Sequence, residues 1–354
     1  DLHKEYRRQR QMCIRDRTGT FLLRAGGRPW RGLDISDQSG AIRHGLREPP
    51  IKWAVIVEPK FYNGKGLMEI AVLGEGGQLG TAMQLTNPGF TLRKLGRRDV
   101  DLVQLAAGDR AATRAAKDAV SGIGCVVNCA ARTDVDKQET DPEGADAVNH
   151  RGVARLAELT RARFIHVSTD YVFGSGAPRR PLTPADATDP DTVYGASKLA
   201  GEKELIGRED TLIARTAWLF SGDRLPSKKD FVSTMLRLAR AGKPARVVDD
   251  QAGSPTFAFD LATGLWEAVN SEATGIVHTV GRGQATWYEV ACATYQAAGA
   301  DPDLVQPCTS EEFPQVARRP SWSVLDTSSW ELAGFTPFPE WRSGVERAVT
   351  GRIL

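Results

Sequence analysis

Short apolar runs alternate with longer amphipathic stretches from residue 68 to the C-terminus. The main runs are MEIAVL (68–73), CVVN (125–128), FIHV (164–167), TLIARTAWLF (211–220) and GIVHTV (275–280). Continuous apolar runs of this length are typical of parallel strands buried on both faces. The stretches between them predict helices at 81–85, 104–120, 142–163, 231–241, 257–269, 286–298 and 340–349. The alternation predicts an α/β fold with a doubly wound parallel sheet.

A glycine-rich turn follows the first apolar run. Gly74, Gly77 and Gly80 form G-x-x-G-x-x-G between the run and the next helix. A strand, a tight glycine turn and a helix N-terminus together bind a pyrophosphate through backbone N–H groups. Glycine is required where a Cβ would block the turn or the approach of the phosphates. The turn therefore predicts a Rossmann-like NAD(P) site, against the alternative of a plain glycine turn.

An arginine pair, Arg97 and Arg98, follows the predicted second strand (90–95), and Asp99 comes next. An acidic residue at this point favours NAD, whereas an arginine favours the 2′-phosphate of NADP. The sequence thus favours NADPH as cofactor, with NADH as the alternative. A solvated arginine pair without a ligand would look the same in the sequence.

A tyrosine and a lysine stand four residues apart in TVYGASKLAGEK, at Tyr194 and Lys198. On a helix this spacing places both side chains on one face. A phenol beside an ammonium loses its proton more easily, so the pair suits proton donation to a carbonyl under reduction. The alternative is a pair of surface residues. Thr169 adds a hydroxyl at the end of the 164–167 run, where side chains point into the ligand crevice of such a sheet.

The pattern divides the chain into three parts. Residues 1–67 begin with the strongly basic DLHKEYRRQRQMCIRDR and remain an unassigned segment, with a disordered tail, a sequence artefact or the remnant of a fused domain as alternatives. We predict an NAD(P)-binding domain at 68–220. Residues 221–354 are predicted to form mainly a smaller substrate-binding domain, interleaved with the sheet.

Composition and charge limit the binding partners and the cellular location that the sequence supports. The chain has 354 residues and a formal net charge of +2, which favours no nucleic-acid partner. It has no apolar run of 18 or more residues, so no membrane-spanning helix is predicted. Its five cysteines lack CxxC spacing, which favours free thiols and a cytoplasmic location.

These motifs together resemble the extended short-chain dehydrogenase/reductase family over about residues 68–350. The resemblance is closest to the branch that reduces the 4-keto group of dTDP-4-dehydro-L-rhamnose with NADPH. It rests on GQLG, NCAARTDVDKQE, VNHRGVARLA, HVSTDYVFGS, YGASKLAGE, ARTAWLF, DDQAGSPT and RPSWSVLDT. A dTDP-linked 4-keto sugar is the implied substrate, and a homodimer is a further expectation.

The resemblance also implies roles for residues. Tyr194 matches the proton donor, and Lys198 matches the residue that binds the ribose and tunes the tyrosine. Thr169 and Asp170 match positions that meet the sugar, and Trp218 matches an aromatic that touches the substrate. Cofactor contacts fall on Gly77, Gln78, Leu79, Asp101, Leu102, Cys129, Ala130 and Ala131.

Some positions depart from the family pattern. Arg132 stands where the family often has His, and Asp230 where it often has Asn. Some members bind magnesium through a Glu at the position of Ala82, so no such metal is predicted here. Arg319, or its neighbour Arg318, is a candidate for pairing with the substrate diphosphate, because a guanidinium suits phosphate geometry.

Two other functions share this pattern. One is another nucleotide-sugar reductase or epimerase, since the tyrosine and lysine are common to that family. The other is an NADP-binding regulatory subunit of methionine adenosyltransferase. The presence of Thr169, Tyr194 and Lys198 favours an enzyme over the regulatory subunit.

Overall fold

The computed structural model describes residues 68–351, all within one compact unit. Its strands are β1 Glu69–Leu73, β2 Thr91–Leu95, β3 Cys125–Asn128, β4 Arg163–Thr169, β5 Thr211–Thr216, β6 Leu219–Phe220, β7 Ala245–Val248, β8 Ala252–Gly253, β9 Thr256–Phe257, β10 Gly275–His278, β11 Ala285–Thr286 and β12 Val305–Cys308. Its α-helices are α1 Gln78–Leu85, α2 Leu102–Ala106, α3 Arg110–Ala119, α4 Val135–Glu139, α5 Pro142–Asp146, α6 Gly152–Glu158, α7 Val193–Leu205, α8 Phe231–Arg240, α9 Ala258–Val269, α10 Trp287–Ala297, α11 Ser328–Leu332 and α12 Trp341–Thr350. None of these helices has the length and apolarity needed to cross a bilayer.

Six parallel strands form the main sheet in the order β10-β5-β4-β3-β1-β2. The chain runs outward from β1 to β2 and then returns to the other side of β1 with β3. This reversal opens a crevice beyond the carboxyl ends of β1 and β3, which is where ligands bind in open α/β sheets. The predicted doubly wound parallel sheet is confirmed.

Side chains of each strand alternate between two apolar layers. Ile70 and Val72 face the layer that contains α1 and α9, whereas Ala71 and Leu73 face the layer that contains α2, α3 and α6. Because both faces of the strand are covered, the run has apolar residues at every position rather than at every second one. The apolar runs therefore mark the centre of the sheet.

The chain beyond residue 220 contributes to two regions. Helices α8 and α10 pack with β7 and β12 around a separate apolar cluster that includes Met235, Val247 and Tyr295. Strand β10 instead returns to the main sheet, beside β5. The C-terminal part is thus interleaved with the sheet, and the domain limits 68–220 and 221–354 stay a prediction.

Several predicted elements are interrupted for identifiable reasons. The helix predicted at 104–120 is two helices, because Gly108 has φ +74° and the Asp109 carboxylate caps a new helix. The helix predicted at 142–163 contains a π-helical turn at Ala147–Arg151 and its last helical segment ends at Glu158. The strand predicted at 211–220 breaks where Trp218 adopts φ +44°. Local backbone conformation, which apolar periodicity does not report, sets these boundaries.

Candidate active site

A cavity of about 450 Å³ lies at the carboxyl end of the sheet. It brings together eleven of the predicted site residues: Gly77, Gln78, Leu79, Cys129, Ala131, Thr169, Asp170, Tyr194, Lys198, Trp218 and Arg319. Helix α7, the end of β4 and the segment after β5 supply the side chains at its centre. Residues from α1, the segment after β3, β4, α7 and α10 therefore meet at one place although they are far apart in the chain.

Close packing requires glycine in the turn after β1. Gly74 has φ +84°, and a Cβ there would lie 2.8 Å from the backbone nitrogen of Ala130. A Cβ at Gly80 would lie 2.3 Å from the carbonyl oxygen of Gly74. The turn is thus pressed against the end of β3, and its backbone stays accessible at the start of α1. This geometry fits the backbone cradle that a dinucleotide pyrophosphate needs.

The glycine turn is attached to the segment before α8. The amide Nε2 of Gln78 donates to Ser221 Oγ at 2.8 Å and to Asp230 Oδ2 at 2.9 Å. Asp230 also caps α8 by accepting from the backbone N–H of Ser233. The Lys228 ammonium donates to the carbonyl of Gly76. Gln78 therefore lines the cavity, and its amide also hydrogen-bonds the segment that leads into α8. The sequence did not reveal this second role.

Three predicted cofactor residues lie at the end of β2, outside the cavity lining. The Arg97 guanidinium is largely exposed and pairs with Asp101 at 3.1 Å. Asp101 caps α2 through the N–H groups of Val103 and Gln104. The Leu102 side chain is buried in the apolar layer on one face of the sheet, so only its backbone is available to a ligand. Their contacts with a cofactor stay predictions.

Tyr194 and Lys198 lie on one face of α7, as predicted. Thr192 caps this helix by accepting from Gly195 N–H, and Tyr194 stands in its first turn. Lys198 is 1% exposed, and its Nζ donates to the Val167 carbonyl at 2.7 Å. The Thr169 hydroxyl lies within hydrogen-bond reach of the Tyr194 phenol, while its own proton is directed at Asp170 Oδ1. The phenol, the hydroxyl and the amine thus converge on the cavity.

Burial is the largest influence on the pKa values of Tyr194 and Lys198. It raises the pKa of Tyr194, and the Thr169 hydroxyl opposes part of that rise. Burial also lowers the pKa of Lys198 to about 8, because the ammonium loses hydration. Lys198 is not among the groups that shift the pKa of Tyr194 here, so its predicted lowering of that pKa stays a prediction. Tyr194 carries its proton at neutral pH.

Asp170 is a buried carboxyl in the cavity wall. Burial raises its pKa to about 6, while hydroxyl groups of Ser323 and Thr169 oppose the shift. Thr169 donates to Asp170 Oδ1 at 3.1 Å, and Oδ2 has no hydrogen-bond partner within residues 68–351. An unpaired buried oxygen costs free energy unless a ligand supplies a donor. This oxygen is suited to a sugar hydroxyl.

An aromatic wall formed by Trp218, Phe231 and Trp287 lines part of the cavity. Trp218 and Trp287 stack with centroids 3.7 Å apart and an angle of 4° between their planes, and Phe231 packs on Trp287 at 4.7 Å. A Cβ at Gly253 would lie 2.3 Å from the Trp218 ring. Sequence reasoning missed Phe231 and Trp287. Each is the first residue of a helix, and no linear spacing connects it to Trp218.

Arg319 is the only arginine among the cavity-lining residues of the described chain. Its Nη1 donates to Tyr171 Oη at 2.9 Å, and its Nη2 donates to Asp136 Oδ2 at 2.9 Å. Arg318 is exposed. These two contacts and a hydrogen bond from Nε to Gln315 fix the guanidinium plane at the cavity edge, which is the preorganisation that binding a phosphate group requires.

The remaining small residues after β3 behave as packing groups. Burial raises the pKa of Cys129 to about 12, so its thiol is protonated, and its sulfur lies 3.7 Å from the sulfur of Met83.

Ala82, the position compared with a magnesium-binding Glu, is buried in α1. Residues 68–351 contain no group of three or more His, Cys, Asp or Glu side chains placed to hold a metal ion.

Comparisons with known proteins give one consistent family. The family model described as RmlD substrate binding domain matches residues 68–352. The dTDP-4-dehydrorhamnose reductase of Mycolicibacterium smegmatis is 37% identical over 322 residues, which cover 88% of this chain and 95% of that protein.

Solved structures agree in fold. A dTDP-4-dehydrorhamnose reductase from Clostridium acetobutylicum superposes with a TM-score of 0.72 at 32% identity, covering 80% of this chain and 99% of that one. The dTDP-4-dehydrorhamnose reductase of Bacillus anthracis, solved in complex with NADP, gives a TM-score of 0.73 at 28% identity, covering 81% and 100% of the two chains.

Proposed function

Because the chain belongs to the dTDP-4-dehydrorhamnose reductase family, we propose that it reduces the 4-keto group of dTDP-4-dehydro-L-rhamnose to give dTDP-L-rhamnose. The observation that carries this proposal is the convergence of Thr169, Tyr194 and Lys198 on one cavity beside a glycine turn. A proton donor next to a dinucleotide cradle is the arrangement that carbonyl reduction requires.

NADPH is the proposed cofactor, and its nicotinamide supplies the hydride for the keto carbon when it is bound. The residues that would hold it are Gly77 and Leu79 at the pyrophosphate turn, Ala131 at the end of β3, and Lys198 at the ribose. The absence of side chains at the glycine turn fits this group. Arg97 is the residue proposed to favour the 2′-phosphate of NADPH over NADH.

Tyr194 is the proposed general acid. As the carbonyl carbon gains a hydride, negative charge grows on the carbonyl oxygen, and the phenol donates its proton there. The raised pKa of Tyr194 keeps it in the protonated form that an acid needs. The Thr169 hydroxyl lines the same cavity and would donate to that oxygen in place of its present acceptor, Asp170 Oδ1.

The proposed substrate site extends from Asp170 to the aromatic wall and Arg319. The free oxygen of Asp170 would accept from a sugar hydroxyl, and the face of Trp218 would cover the apolar side of the sugar ring. The Arg319 guanidinium would pair with the diphosphate, because it is held at the cavity edge by Tyr171 and Asp136.

The test is NADPH oxidation followed by absorbance with a panel of nucleotide sugars. We expect turnover with dTDP-4-dehydro-L-rhamnose and none with UDP-glucose, and slower turnover when NADH replaces NADPH. Equal activity on another nucleotide sugar would favour the related reductases or epimerases instead. Binding of NADP without turnover, together with co-purification of a methionine adenosyltransferase, would favour the regulatory subunit.

A further inference from the structure

A chain of buried polar groups connects Lys198 to the end of β3. Lys198 Nζ lies 3.1 Å from His166 Nε2, and His166 Nδ1 lies 3.1 Å from Asn128 Nδ2. The backbone N–H of Ala130 donates to Asn128 Oδ1 at 3.0 Å. Asn128 and His166 are both 0% exposed. Water cannot replace any partner freely in such a network, so the direction of each hydrogen bond matters.

The Ala130 N–H sets the direction of every hydrogen bond in this network. A backbone N–H can only donate, so the oxygen of the Asn128 amide faces Ala130 and its NH₂ group faces His166. His166 Nδ1 must then accept, and a neutral imidazole carries its proton on Nε2. That Nε2–H points at Lys198 Nζ, which can accept it only as an amine with a free lone pair.

The surrounding charges are compatible with this direction. Burial lowers the pKa of His166 well below its ordinary value, so the imidazole is neutral. The titratable groups that act on Lys198 are Glu202 on α7 and Cys129 after β3. Glu202 favours the ammonium, but both of its carboxylate oxygens accept from Arg215, at 2.9 and 2.7 Å. Its charge is therefore largely compensated.

We propose that His166 is a positioning residue that favours the amine form of Lys198, through the hydrogen-bond direction that Asn128 imposes on it. Protonation of Lys198 reverses the direction of the hydrogen bonds in this network. Nε2 of His166 then accepts, its proton resides on Nδ1, and the Asn128 amide must rotate, so the Ala130 N–H loses its acceptor. Because Ala130 packs against Gly74, the charge on Lys198 is coupled to the backbone beside the glycine turn.

The substitution Asn128→Asp tests the hydrogen-bond direction of this network, because an aspartate side chain has almost the same shape as an asparagine side chain. A carboxylate accepts from both the Ala130 N–H and a proton on His166 Nδ1, which leaves Nε2 free to accept from the Lys198 ammonium. Imidazole ¹⁵N NMR of the full chain distinguishes the two tautomers, and His166→Gln assigns the signal. Above about pH 8, we expect the Nε2–H tautomer in the wild type and the Nδ1–H tautomer in Asn128→Asp.

An Nδ1–H tautomer in the wild type under these conditions would overturn the inference, as would identical tautomers in the two proteins. If Asn128→Asp does not fold, as judged by thermal denaturation, the wild-type tautomer decides alone. This measurement needs no substrate, so it is independent of the proposed activity.

A second measurement rests on the proposed function. The pH profile of NADPH oxidation should show the midpoint assigned to Lys198 displaced upward in Asn128→Asp by about one pH unit or more, a tenfold change in proton affinity. His150→Gln, which removes a histidine paired with Asp146, is the control and should leave the profile unchanged. An active Asn128→Asp enzyme with an unchanged profile contradicts the role of His166 without contradicting the reductase activity.

Discussion

The amide of Gln78 donates a 2.9 Å hydrogen bond to the carboxylate of Asp230, which lies 152 residues further along the chain. Gln78 is the first residue of α1, next to the glycine turn, and Asp230 is the cap of α8. The residue after Asp230 is Phe231, which packs on Trp287 in the aromatic wall. One carboxylate therefore joins the proposed cofactor side of the cavity to its proposed substrate side.

Asp230→Ala should reduce both stability and affinity for NADPH. The substitution removes a helix cap, which costs about 0.5–2 kcal/mol, and leaves Gln78 without its acceptor beside the glycine turn. We expect a lower melting temperature and a higher KM for NADPH. Asp109→Ala removes the equivalent cap of α3 and serves as the control, with a similar loss of stability and an unchanged KM. Equal KM values in the two variants would contradict the coupling.

Tyr194→Phe should abolish most turnover while NADPH still binds. The ring remains to fill its buried position, but the proton donor is lost, and general acid catalysis typically contributes about 10²–10⁴-fold. Steady-state turnover together with NADPH binding by fluorescence measures the two effects separately. Turnover close to that of the wild type would exclude Tyr194 as the acid.

Asp170→Asn should stabilise the fold at neutral pH and impair activity. The folded-state pKa of Asp170, about 6, is above its ordinary value of 3.8. Its contribution to stability is fully present below pH 3.8 and is lost as pH rises through about 6. Removing the charge should therefore raise the free energy of unfolding at neutral pH by about 2–3 kcal/mol.

Denaturant unfolding at several pH values measures how the difference in free energy of unfolding between Asp170→Asn and the wild type changes with pH. The advantage of Asp170→Asn over the wild type should be largest above about pH 6 and shrink toward pH 4. An advantage that does not depend on pH would mean that ionisation of Asp170 is not its cause.

Trp287→Ala should weaken sugar binding specifically. Trp287 holds the ring of Trp218 by stacking at 3.7 Å, and such pairs contribute about 0.5–1.5 kcal/mol beyond area burial. We expect roughly a 2- to 10-fold rise in KM for the dTDP sugar and little change for NADPH. Trp287→Phe keeps an aromatic face and should recover most of the loss. A rise in the NADPH KM alone would show that the wall serves the cofactor instead.

The sequence alone determined the elements that local chemistry fixes. Apolar runs identified the buried strands, the glycine spacing identified the turn after β1, and helical spacing put Tyr194 and Lys198 on one face of α7. These patterns are visible in sequence because burial on both faces, positive φ and one helical turn each restrict residue types at short range.

Only the tertiary structure decided which distant groups meet and what charge they carry. The stacking of Trp218 on Trp287 and the bond between Gln78 and Asp230 join segments with no common spacing. The lowered pKa of Lys198 could not be read from the sequence, because its spacing to Tyr194 is local whereas its burial against His166 and Val167 is not. Desolvation depends on everything packed around a group, so a short sequence motif specifies the residues of this site but not their protonation.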